Sequence, residues 1–317
     1  MILVLTSDND RTADRVVAEI VRRGEAVSRL DVAGFPCSIT VNAVLQDELG
    51  WHGWMETEHG QIHFNKIKAV YYRRPTGFVF PGDVTGSDLA FAVAEARRGF
   101  GGLLFSLHAR WVNHPGRVAD AEFKPTQLHV AARCGLMIPR TLLTSDPGQA
   151  RIFCESADRG VVYKPLSATN IVKGDEVQLV YTSRICSGDL DDVDLSLTMN
   201  LLQDWVPKRY DVRVTVVGRR IFAVAIHADS PEAYVDWRAD YDSLAYKPVD
   251  VPKCVSSGIW AYMKHFDLSY GAFDFAVTDD CWYFLECNAN GQFGWLEAET
   301  GLPITAAIAD LLVEDTR

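Results

Sequence analysis

The sequence lacks the motifs that identify the commonest nucleotide-binding, zinc-binding and disulfide-rich domains. It contains no GxxxxGK(S/T) phosphate loop and no GxGxxG dinucleotide fingerprint. Its seven cysteines form no CxxC pair, so we expect neither a zinc cluster nor a disulfide framework, but reduced thiols in a cytoplasmic protein. No internal repeat, low-complexity tract or long linker occurs in the 317 residues. At roughly 100–200 residues per domain, this length predicts two or three compact units.

Long apolar runs and positive charge are also scarce. The N-terminus has five apolar residues before it turns polar at Thr6, which is too short for a signal peptide or a membrane span. The chain carries 31 lysines and arginines against 42 aspartates and glutamates, a formal net charge of −11. Such a surface argues against nucleic acid or an anionic membrane as the main partner. It leaves open a local basic pocket for a small phosphorylated ligand.

Strand and helix patterns alternate through the first hundred residues, which predicts a parallel sheet covered by helices. The predicted strands are Ile2–Leu5, Ala26–Leu30 and Ala69–Tyr72. The predicted helices are Arg11–Arg22 and Leu89–Leu107. The first domain boundary is predicted at 113–116, where Asn, Pro and Gly interrupt regular structure. Hairpin patterns dominate the later chain, so the fold class is α/β followed by α+β.

The most informative segment is a predicted hairpin that carries two carboxylates. If Asp279–Cys281 forms a three-residue loop, Asp274 lies directly opposite Glu286, with Cβ atoms about 4.5–5.5 Å apart. Asn288 then follows on the same strand face. Two opposed carboxylates among apolar neighbours need a cation between them, a shared proton or contact with solvent. Asp, Glu and Asn offer only oxygen ligands, a set typical of Mg²⁺ that is held partly by substrate phosphates. The alternatives are a sheet edge where both acids face water, or a two-residue loop that moves them out of register.

Four cationic residues supply the counterpart that a magnesium–polyphosphate site requires. Lys164 ends a β-branched strand, and Lys124 precedes a helix after a polar loop. Arg213 alternates with Asp211, so the two share one strand face. Arg238 lies in an Asp-Trp-Arg triplet. Each of these charges alone is usually solvated, and what favours a common site is that the four appear in the order found in one known kind of site.

A series of motifs, spread over nearly the whole chain, is shared with one known group of enzymes. They are Tyr71-Tyr72-Arg73-Arg74-Pro75, Asn113-His114-Pro115 followed by Lys124, Gln127 and Leu128, Pro139-Arg140-Thr141, Val162-Tyr163-Lys164-Pro165, Gln203-Asp204-Trp205-Val206, Asp211-Val212-Arg213-Val214, Asp236-Trp237-Arg238, Asp274, Glu286-Cys287-Asn288, Gly291-Gln292 and Glu299-Thr300-Gly301-Leu302-Pro303-Ile304. In these motifs the sequence resembles the ATP-grasp enzymes, and specifically the ATP-grasp ribosomal peptide maturases, the graspetide or microviridin-type ligases. The Glu-x-Asn end is typical of ATP-grasp enzymes in general, whereas the Arg-Arg-Pro, Asp-Trp-Arg and Glu-Thr-Gly-Leu-Pro-Ile elements are typical of the peptide maturases.

The resemblance implies an ATP-grasp fold with an N-terminal Rossmann-like, pre-ATP-grasp α/β domain. It divides the chain into the N-terminal domain, a central lobe with a lid, and a C-terminal lobe with the magnesium site, at 1–115, 116–190 and 191–317. The lid is placed at 167–183. Its loop at 167–173 has only Gly174 nearby and departs from the glycine-rich run of many ATP-grasp lids.

Carried over position by position, the resemblance assigns roles to individual residues. The residues implied to bind ATP, at its phosphates or its adenine, are Lys124, Lys164, Gln203, Asp204, Trp205, Val206 and Asp211. Those implied to hold Mg²⁺ are Asp274, Glu286 and Asn288. Lys164, Arg213 and Arg238 are the implied catalytic residues, with the arginines facing the transferring phosphoryl group or the acyl phosphate. Arg73 and Arg74 either bind acidic groups of a peptide substrate or pair with surface acids.

The implied chemistry uses ATP and Mg²⁺ to join a carboxylate to a hydroxyl or an amine. A side-chain carboxylate of a ribosomal precursor peptide, with a leader and an acidic, threonine-rich core, attacks the γ-phosphate. A Thr or Ser hydroxyl or a Lys amine then displaces phosphate from the acyl phosphate, which gives an ester or an amide and closes a ring. The resemblance leaves room for a homodimer. The alternatives are an ATP-grasp carboxylate–amine ligase that adds amino acids to a peptide or protein terminus, and a non-catalytic nucleotide-binding regulator.

Overall fold

A computed structural model describes residues 1–46, 48, 50–167, 170–173, 176–191 and 194–314. The α-helices of these ranges are α1 Arg11–Arg22, α2 Gly86–Phe105, α3 Pro115–Ala121, α4 Lys124–Arg133, α5 Pro147–Glu155, α6 Pro231–Val235, α7 Lys253–Phe266, α8 Gly294–Thr300 and α9 Ile304–Val313. The strands are β1 Ile2–Thr6, β2 Val27–Leu30, β3 Thr40–Leu45, β4 Trp51–Thr57, β5 Gly60–His63, β6 Ala69–Arg74, β7 Arg110–Val112, β8 Thr141–Thr144, β9 Val161–Lys164, β10 Asn170–Lys173, β11 Glu176–Leu179, β12 Ser183–Ile185, β13 Asn200–Asp204, β14 Tyr210–Val217, β15 Arg220–Ala228, β16 Leu244–Pro248, β17 Tyr270–Val277 and β18 Trp282–Asn288. None of these helices is long and apolar enough to cross a membrane.

The N-terminal segment is built on a four-stranded parallel sheet in the order β2-β1-β6-β7. All five residues of β1 are buried, because its two faces belong to two different apolar clusters. Helix α1 begins after Asp10, whose carboxylate accepts hydrogen bonds from the amides of Thr12 and Ala13 and so caps the helix. The predicted alternation of strands and helices is confirmed, and the bounds of α1 are those that its periodicity predicts.

A three-stranded antiparallel sheet, β3-β4-β5, lies between β2 and β6 in the chain. This sheet was not among the predicted elements, because its strands lie in a largely polar stretch of the chain where no continuous apolar run marks a strand. Met55 and Ile62 from this small sheet pack beside Leu3 and Leu5 of the parallel sheet. The small sheet therefore covers one face of the N-terminal segment.

The middle of the chain forms an antiparallel sheet in the order β12-β9-β13-β8. β13 follows residue 190, so this sheet draws a strand from beyond the predicted segment boundary. At the other end of the chain, α9 packs against α1 in the N-terminal apolar cluster. The division into three segments stays a prediction. Strand β13 and helix α9 each pack with a segment other than the one to which the division assigns them.

The predicted lid at 167–183 contains a hairpin. β10 pairs with β11 in antiparallel register, with Asn170 opposite Leu179 and Lys173 opposite Glu176. Gly174, the one glycine near the predicted phosphate contacts, lies outside the described residues.

The third segment is an antiparallel sheet of five strands in the order β16-β15-β14-β17-β18. One face of this sheet packs against α4 and α7, where Tyr262, Phe273, Phe275 and Phe284 form a fully buried aromatic group. Truncation of such a side chain to alanine typically costs about 3–5 kcal/mol. The opposite face of β14, β17 and β18 carries the predicted site residues.

The carboxylate hairpin is confirmed, but its register is reached differently from the prediction. A three-residue loop is wrong: Val277 pairs with Trp282, and the connection has four residues, 278–281. The hydroxyl of Thr278 accepts the Cys281 amide at 3.1 Å, which stabilises this longer turn. Next to the turn, the pairing of the two strands is shifted by one residue from the predicted register. A β-bulge at Leu285 adds one unpaired residue and removes the shift, so Asp274 lies opposite Glu286 as predicted.

Candidate active site

Three charged residues form a row across neighbouring strands of the five-stranded sheet. Arg213 pairs in register with Asp274, which pairs with Glu286. All three are buried, with exposed fractions of 5%, 7% and 8%. Asn288 completes the group, because its side-chain nitrogen donates to Asp274 Oδ2 and Glu286 Oε1, both at 3.3 Å. The residues predicted to hold Mg²⁺ are therefore brought together.

The two carboxylates have opposite pKa shifts. Burial raises the pKa of Asp274 above its ordinary value, although Arg213 opposes this shift. Burial acts in the same direction on Glu286, but Lys124 and Lys164 outweigh it and lower the pKa of that carboxyl below its ordinary value. Glu286 is thus held as an anion, and Asp274 is the carboxyl of the pair whose charge responds to a nearby cation.

Two lysines approach Glu286 from other elements. Lys124, the first residue of α4, places Nζ 3.3 Å from Glu286 Oε2 and donates to the carbonyl of Pro165 at 2.5 Å. Lys164, the last residue of β9, is 8% exposed, and burial lowers its pKa to about 8. The predicted phosphate-binding lysines thus lie on the carboxylate side of the cleft.

Arg238 is held by its neighbour Asp236. Its Nε and Nη2 donate to the two carboxylate oxygens of Asp236 at 2.8 and 2.7 Å, and its Nη1 lies 3.8 Å from Glu286 Oε1. Burial opposes ionisation of Asp236, yet the hydrogen bonds from Arg238 lower its pKa to about 2. Asp236 also accepts the amide of Thr182, at the end of the predicted lid, at 3.1 Å. No role was predicted for Asp236. Its position two residues before Arg238, in the same Asp-Trp-Arg triplet, is the sequence feature that could have indicated their pairing.

The site opens into a cleft whose empty space, including its mouth, is about 600 Å³. The cleft is lined by the predicted adenine-binding residues Gln203, Asp204, Trp205 and Val206, together with Val162 and Leu285. The amides of Asp204 and Trp205 donate to the carbonyls of Arg140 and Gly160, each at 2.9 Å. In the described part of the chain the Val206 amide has no such acceptor.

Asp211 lies on the same wall of the cleft and is paired with Lys208. Lys208 Nζ is 2.6 Å from Asp211 Oδ2, and both side chains are buried. Burial raises the pKa of Asp211, and Lys208 opposes that shift. Lys208 was not predicted as a site residue, because in sequence it is one lysine in a polar stretch.

The two adjacent arginines predicted to bind substrate have different surroundings. Arg73 is 2% exposed, and its Nε donates to Asp10 Oδ2 at 2.8 Å. Arg74 is exposed and forms no ion pair with any residue that the structure describes. The two alternatives for these arginines were binding of acidic peptide groups and pairing with surface acids. Arg73 pairs with an acid, Asp10, but that acid is buried rather than on the surface.

The side chains around the carboxylates fit a magnesium ion. Asp274 Oδ1 is buried and has no hydrogen-bond partner among the described residues. Two carboxylates and one amide offer oxygen alone, the donor set that Mg²⁺ prefers. The described residues contain no group of three or more His, Cys, Asp or Glu side chains that could hold a metal ion, so Asn288 has to supply the third protein ligand here.

Two antiparallel sheets that enclose a cleft, in which lysines meet a row of carboxylates, define the ATP-grasp class of ligases. A family model described as the MvdD pre-ATP grasp domain matches residues 1–119. No curated protein matches the chain in sequence.

Solved structures match along the whole chain. The macrocyclase MdnC of Microcystis aeruginosa MRC, bound with the precursor peptide MdnA, is 31% identical, with a TM-score of 0.87 over 99% of both chains. A Chryseobacterium gregarium RiPP-associated ATP-grasp ligase, in complex with ADP and a leader and core peptide, is 28% identical, with a TM-score of 0.91 over 100% of this chain and 97% of that one. The macrocyclase MdnB of Microcystis aeruginosa MRC is 29% identical, with a TM-score of 0.83 over 99% of both. The chain belongs to the family of ATP-grasp ligases that modify ribosomally synthesised peptides.

Proposed function

We propose that this ligase activates Asp or Glu side chains of a precursor peptide and joins them to Thr or Ser hydroxyls, or to Lys amines, within the same peptide. The observation that carries the proposal is the buried row of Arg213, Asp274 and Glu286 beside two lysines, in a chain similar over its full length to a peptide macrocyclase. A protein that only bound nucleotide would not need this costly set of buried charges.

ATP is proposed to lie in the cleft, with its phosphates at the carboxylate end. Lys124 and Lys164 supply positive charge there, and the Val206 amide, which has no acceptor in the described chain, is available to a purine nitrogen. Val162 and Leu285 supply apolar contact for the base. Asp204 takes part through its backbone, because its carboxylate already accepts two hydrogen bonds from Arg140 at 2.9 Å.

Asp274, Glu286 and Asn288 are the residues that would hold Mg²⁺. When bound, the ion would neutralise charge that develops on the phosphate oxygens. Glu286 is suited to this role because the surrounding lysines keep it ionised. Asp274 is suited because one of its oxygens has no other partner.

The reaction balances in two steps. A peptide carboxylate oxygen attacks the γ-phosphorus, the bond to the ADP oxygen breaks, and an acyl phosphate forms. A hydroxyl or amine then attacks the acyl carbon, and the bond to the phosphate breaks; the proton of the nucleophile leaves with the phosphate. Arg213 and Arg238 face the negative charge that develops in both steps, and Asp236 fixes the orientation of Arg238.

The partner in this proposal is a precursor peptide with a leader and an acidic, threonine-rich core. All proposed site residues come from one chain, so a homodimer is not needed to complete the site. The seven unpaired cysteines and the use of ATP support a cytoplasmic site of action.

The experiment mixes the protein with MgATP and the peptide encoded by a short neighbouring gene that has repeated Thr and Asp or Glu codons, and reads the product mass. Loss of one water per bond, reversed by mild base, is the expected result for esters; the same loss that resists base indicates amides. A gain in mass equal to an added amino acid would instead support the terminus-extending ligase. Unchanged mass with no ADP release would contradict ligation and support the nucleotide-binding regulator.

A further inference from the structure

Arg73 connects the N-terminal parallel sheet to the turn that follows Asn288. Its Nε donates to Asp10 Oδ2 at 2.8 Å, its Nη1 donates to the Gly291 carbonyl at 3.4 Å, and its Nη2 donates to Gln292 Oε1. The guanidinium also lies 5.7 Å from the centre of the Phe293 ring. One side chain from β6 thus contacts three consecutive residues of the 289–293 turn.

The 289–293 turn packs directly against the proposed site. A Cβ built on Gly291 would lie 3.0 Å from Arg213 Nη2 and 3.2 Å from Asn288 Cβ. The Gly291 amide also donates to the Asn288 carbonyl at 3.1 Å. Gly291 therefore lies close against Asn288 and the guanidinium of Arg213, with no room for a side chain between them.

A second residue of the N-terminal segment anchors the start of the same turn. The side-chain nitrogen of Asn113 donates to the carbonyls of Tyr270 and Ala289, both at 2.8 Å. Its oxygen accepts the amides of Ser269 and Tyr270 at 2.7 and 3.0 Å. Asn113 therefore fixes residue 289, whereas Arg73 helps to hold residues 291 and 292. It shares the Gly291 carbonyl with the hydroxyl of Tyr270, which donates at 2.7 Å, and Gln292 Oε1 with the hydroxyl of Thr12.

We infer that Arg73 is a positioning residue for the proposed ligase reaction: it sets the 289–293 turn and, through that turn, the placement of Asn288 and Arg213. This inference rests on the proposed function and adds a role for the N-terminal domain in the chemical step. It also separates the two adjacent arginines, since Arg73 is buried with its donors in use and Arg74 is the exposed one.

An arginine is required at this position because its planar fork reaches several acceptors at once, whereas a lysine offers one point charge. Asp10 cannot easily be replaced either, since its other oxygen accepts the Thr12 and Ala13 amides at the start of α1. Gln292 is tied to the same helix, because its Oε1 accepts the hydroxyl of Thr12 at 2.9 Å. The start of α1, Arg73 and the turn therefore form one hydrogen-bonded unit.

The test compares Arg73→Lys with the wild-type protein in three measurements. First, kcat is expected to fall by about 10- to 100-fold with the peptide KM unchanged, as for residues that orient metal ligands. Second, the tightening of ADP binding by Mg²⁺, measured by calorimetry, is expected to weaken while ADP binding without Mg²⁺ is unchanged. Third, amide hydrogen exchange in the 289–293 turn is expected to accelerate. Arg22→Lys, on the exposed face of α1, is the matched control and changes none of these quantities.

A rise in the peptide KM at constant kcat would overturn the inference, because it would make Arg73 a peptide-binding residue. Unchanged Mg²⁺ dependence together with unchanged exchange would overturn it as well. If Arg73→Lys does not fold, Gln292→Ala leaves the Arg73–Asp10 ion pair intact and is expected to change the same quantities in the same direction. A wild-type protein that makes no product would refute the proposed function, whereas hydrogen exchange would still decide the role of Arg73.

Discussion

Arg213 and Asp274 face each other across two strands without a hydrogen bond. Arg213 Nε lies 3.7 Å from Asp274 Oδ1, both atoms are buried, and neither has a hydrogen-bond partner among the described residues. Buried polar atoms are nearly always hydrogen-bonded in folded proteins. The pair is therefore the place in the site where a ligand is most needed, and our account assigns it a metal ion at Asp274 and the reacting phosphoryl or acyl phosphate group at Arg213.

The first prediction concerns Glu286, the carboxylate that the surrounding cations keep ionised. Glu286→Gln removes the charge at nearly constant volume, so we expect ADP release with peptide to fall by about 10²- to 10³-fold. The thermal unfolding midpoint should fall, because the charge of Glu286 stabilises the fold beside Lys124 and Lys164, so activity is compared at a temperature at which circular dichroism shows both proteins folded. Glu155→Gln, at the exposed end of α5, is the control and keeps full activity. Full activity in Glu286→Gln would show that the metal assignment is wrong.

The second prediction concerns the protonation of Lys164. Burial lowers its pKa to about 8, so in the free protein the ammonium is about half deprotonated at pH 8. A phosphate beside it favours the charged form and raises the pKa. Nucleotide binding should therefore add a proton to Lys164 in part of the molecules at pH 8 but not at pH 6.5, where Lys164 is already charged. Comparison with Lys164→Met separates this uptake from protons exchanged at Asp274.

Calorimetry in two buffers with different heats of ionisation measures this proton uptake. Lys164→Met should abolish it, whereas Lys247→Met, at an exposed position of β16, should leave it unchanged. Equal uptake in the wild-type protein and Lys164→Met would place the phosphates away from Lys164.

The third prediction concerns Asp236, which holds Arg238 by two hydrogen bonds. Asp236→Asn removes one of the two acceptors and the charge, so kcat should fall by about 10- to 100-fold with less effect on ATP binding. Arg238→Lys should have a similar effect, because a lysine cannot form the bidentate pair. Asp191→Asn breaks a surface ion pair with Arg151 and serves as the control, since such pairs contribute about 0–1 kcal/mol. A kcat for Asp236→Asn equal to that of the control would remove Asp236 from the mechanism.

The fourth prediction concerns Leu285, the bulged residue of β18 that lines the cleft. Leu285→Ala should raise the KM for ATP by about 5- to 30-fold, which corresponds to the loss of about 1–2 kcal/mol of apolar burial. The kcat should change little, because Leu285 carries no charge and lies beside the proposed base. Leu143→Ala, on the edge strand β8, is the matched control. An unchanged KM in Leu285→Ala would place the base elsewhere.

Local patterns predicted the elements that depend on local physics. Helix α1 was predicted to its end residues because the Asp10 cap, the apolar spacing and Gly24 all lie within the helix or beside it. The opposition of Asp274 and Glu286 was also predicted, but through an assumed uniform ladder. The actual ladder is shifted and then corrected by the Leu285 bulge, a compensation that the periodicity of side chains does not reveal.

Contacts between distant parts of the chain were not predictable in the same way. Arg73 and Arg74 are identical neighbours on β6, where successive side chains point to opposite faces, and the packing of Asp10 and the 289–293 turn decides which of the two faces is buried. The pairing of Asp236 with the Thr182 amide joins residues 54 positions apart. Such relations depend on where whole sheets meet, which a single sequence does not encode in any local spacing.

Activation of a peptide carboxylate as an acyl phosphate moves one carboxylate oxygen onto phosphorus, and oxygen-18 labelling follows that transfer. The precursor peptide is prepared with oxygen-18 in its Asp and Glu carboxylates, and the phosphate released with MgATP is analysed by mass spectrometry. Each bond formed should release one phosphate that carries one oxygen-18 atom. The carboxylate oxygen that attacks phosphorus stays on the phosphate when the acyl–oxygen bond breaks. Phosphate without oxygen-18, released while bonds form, would contradict the account.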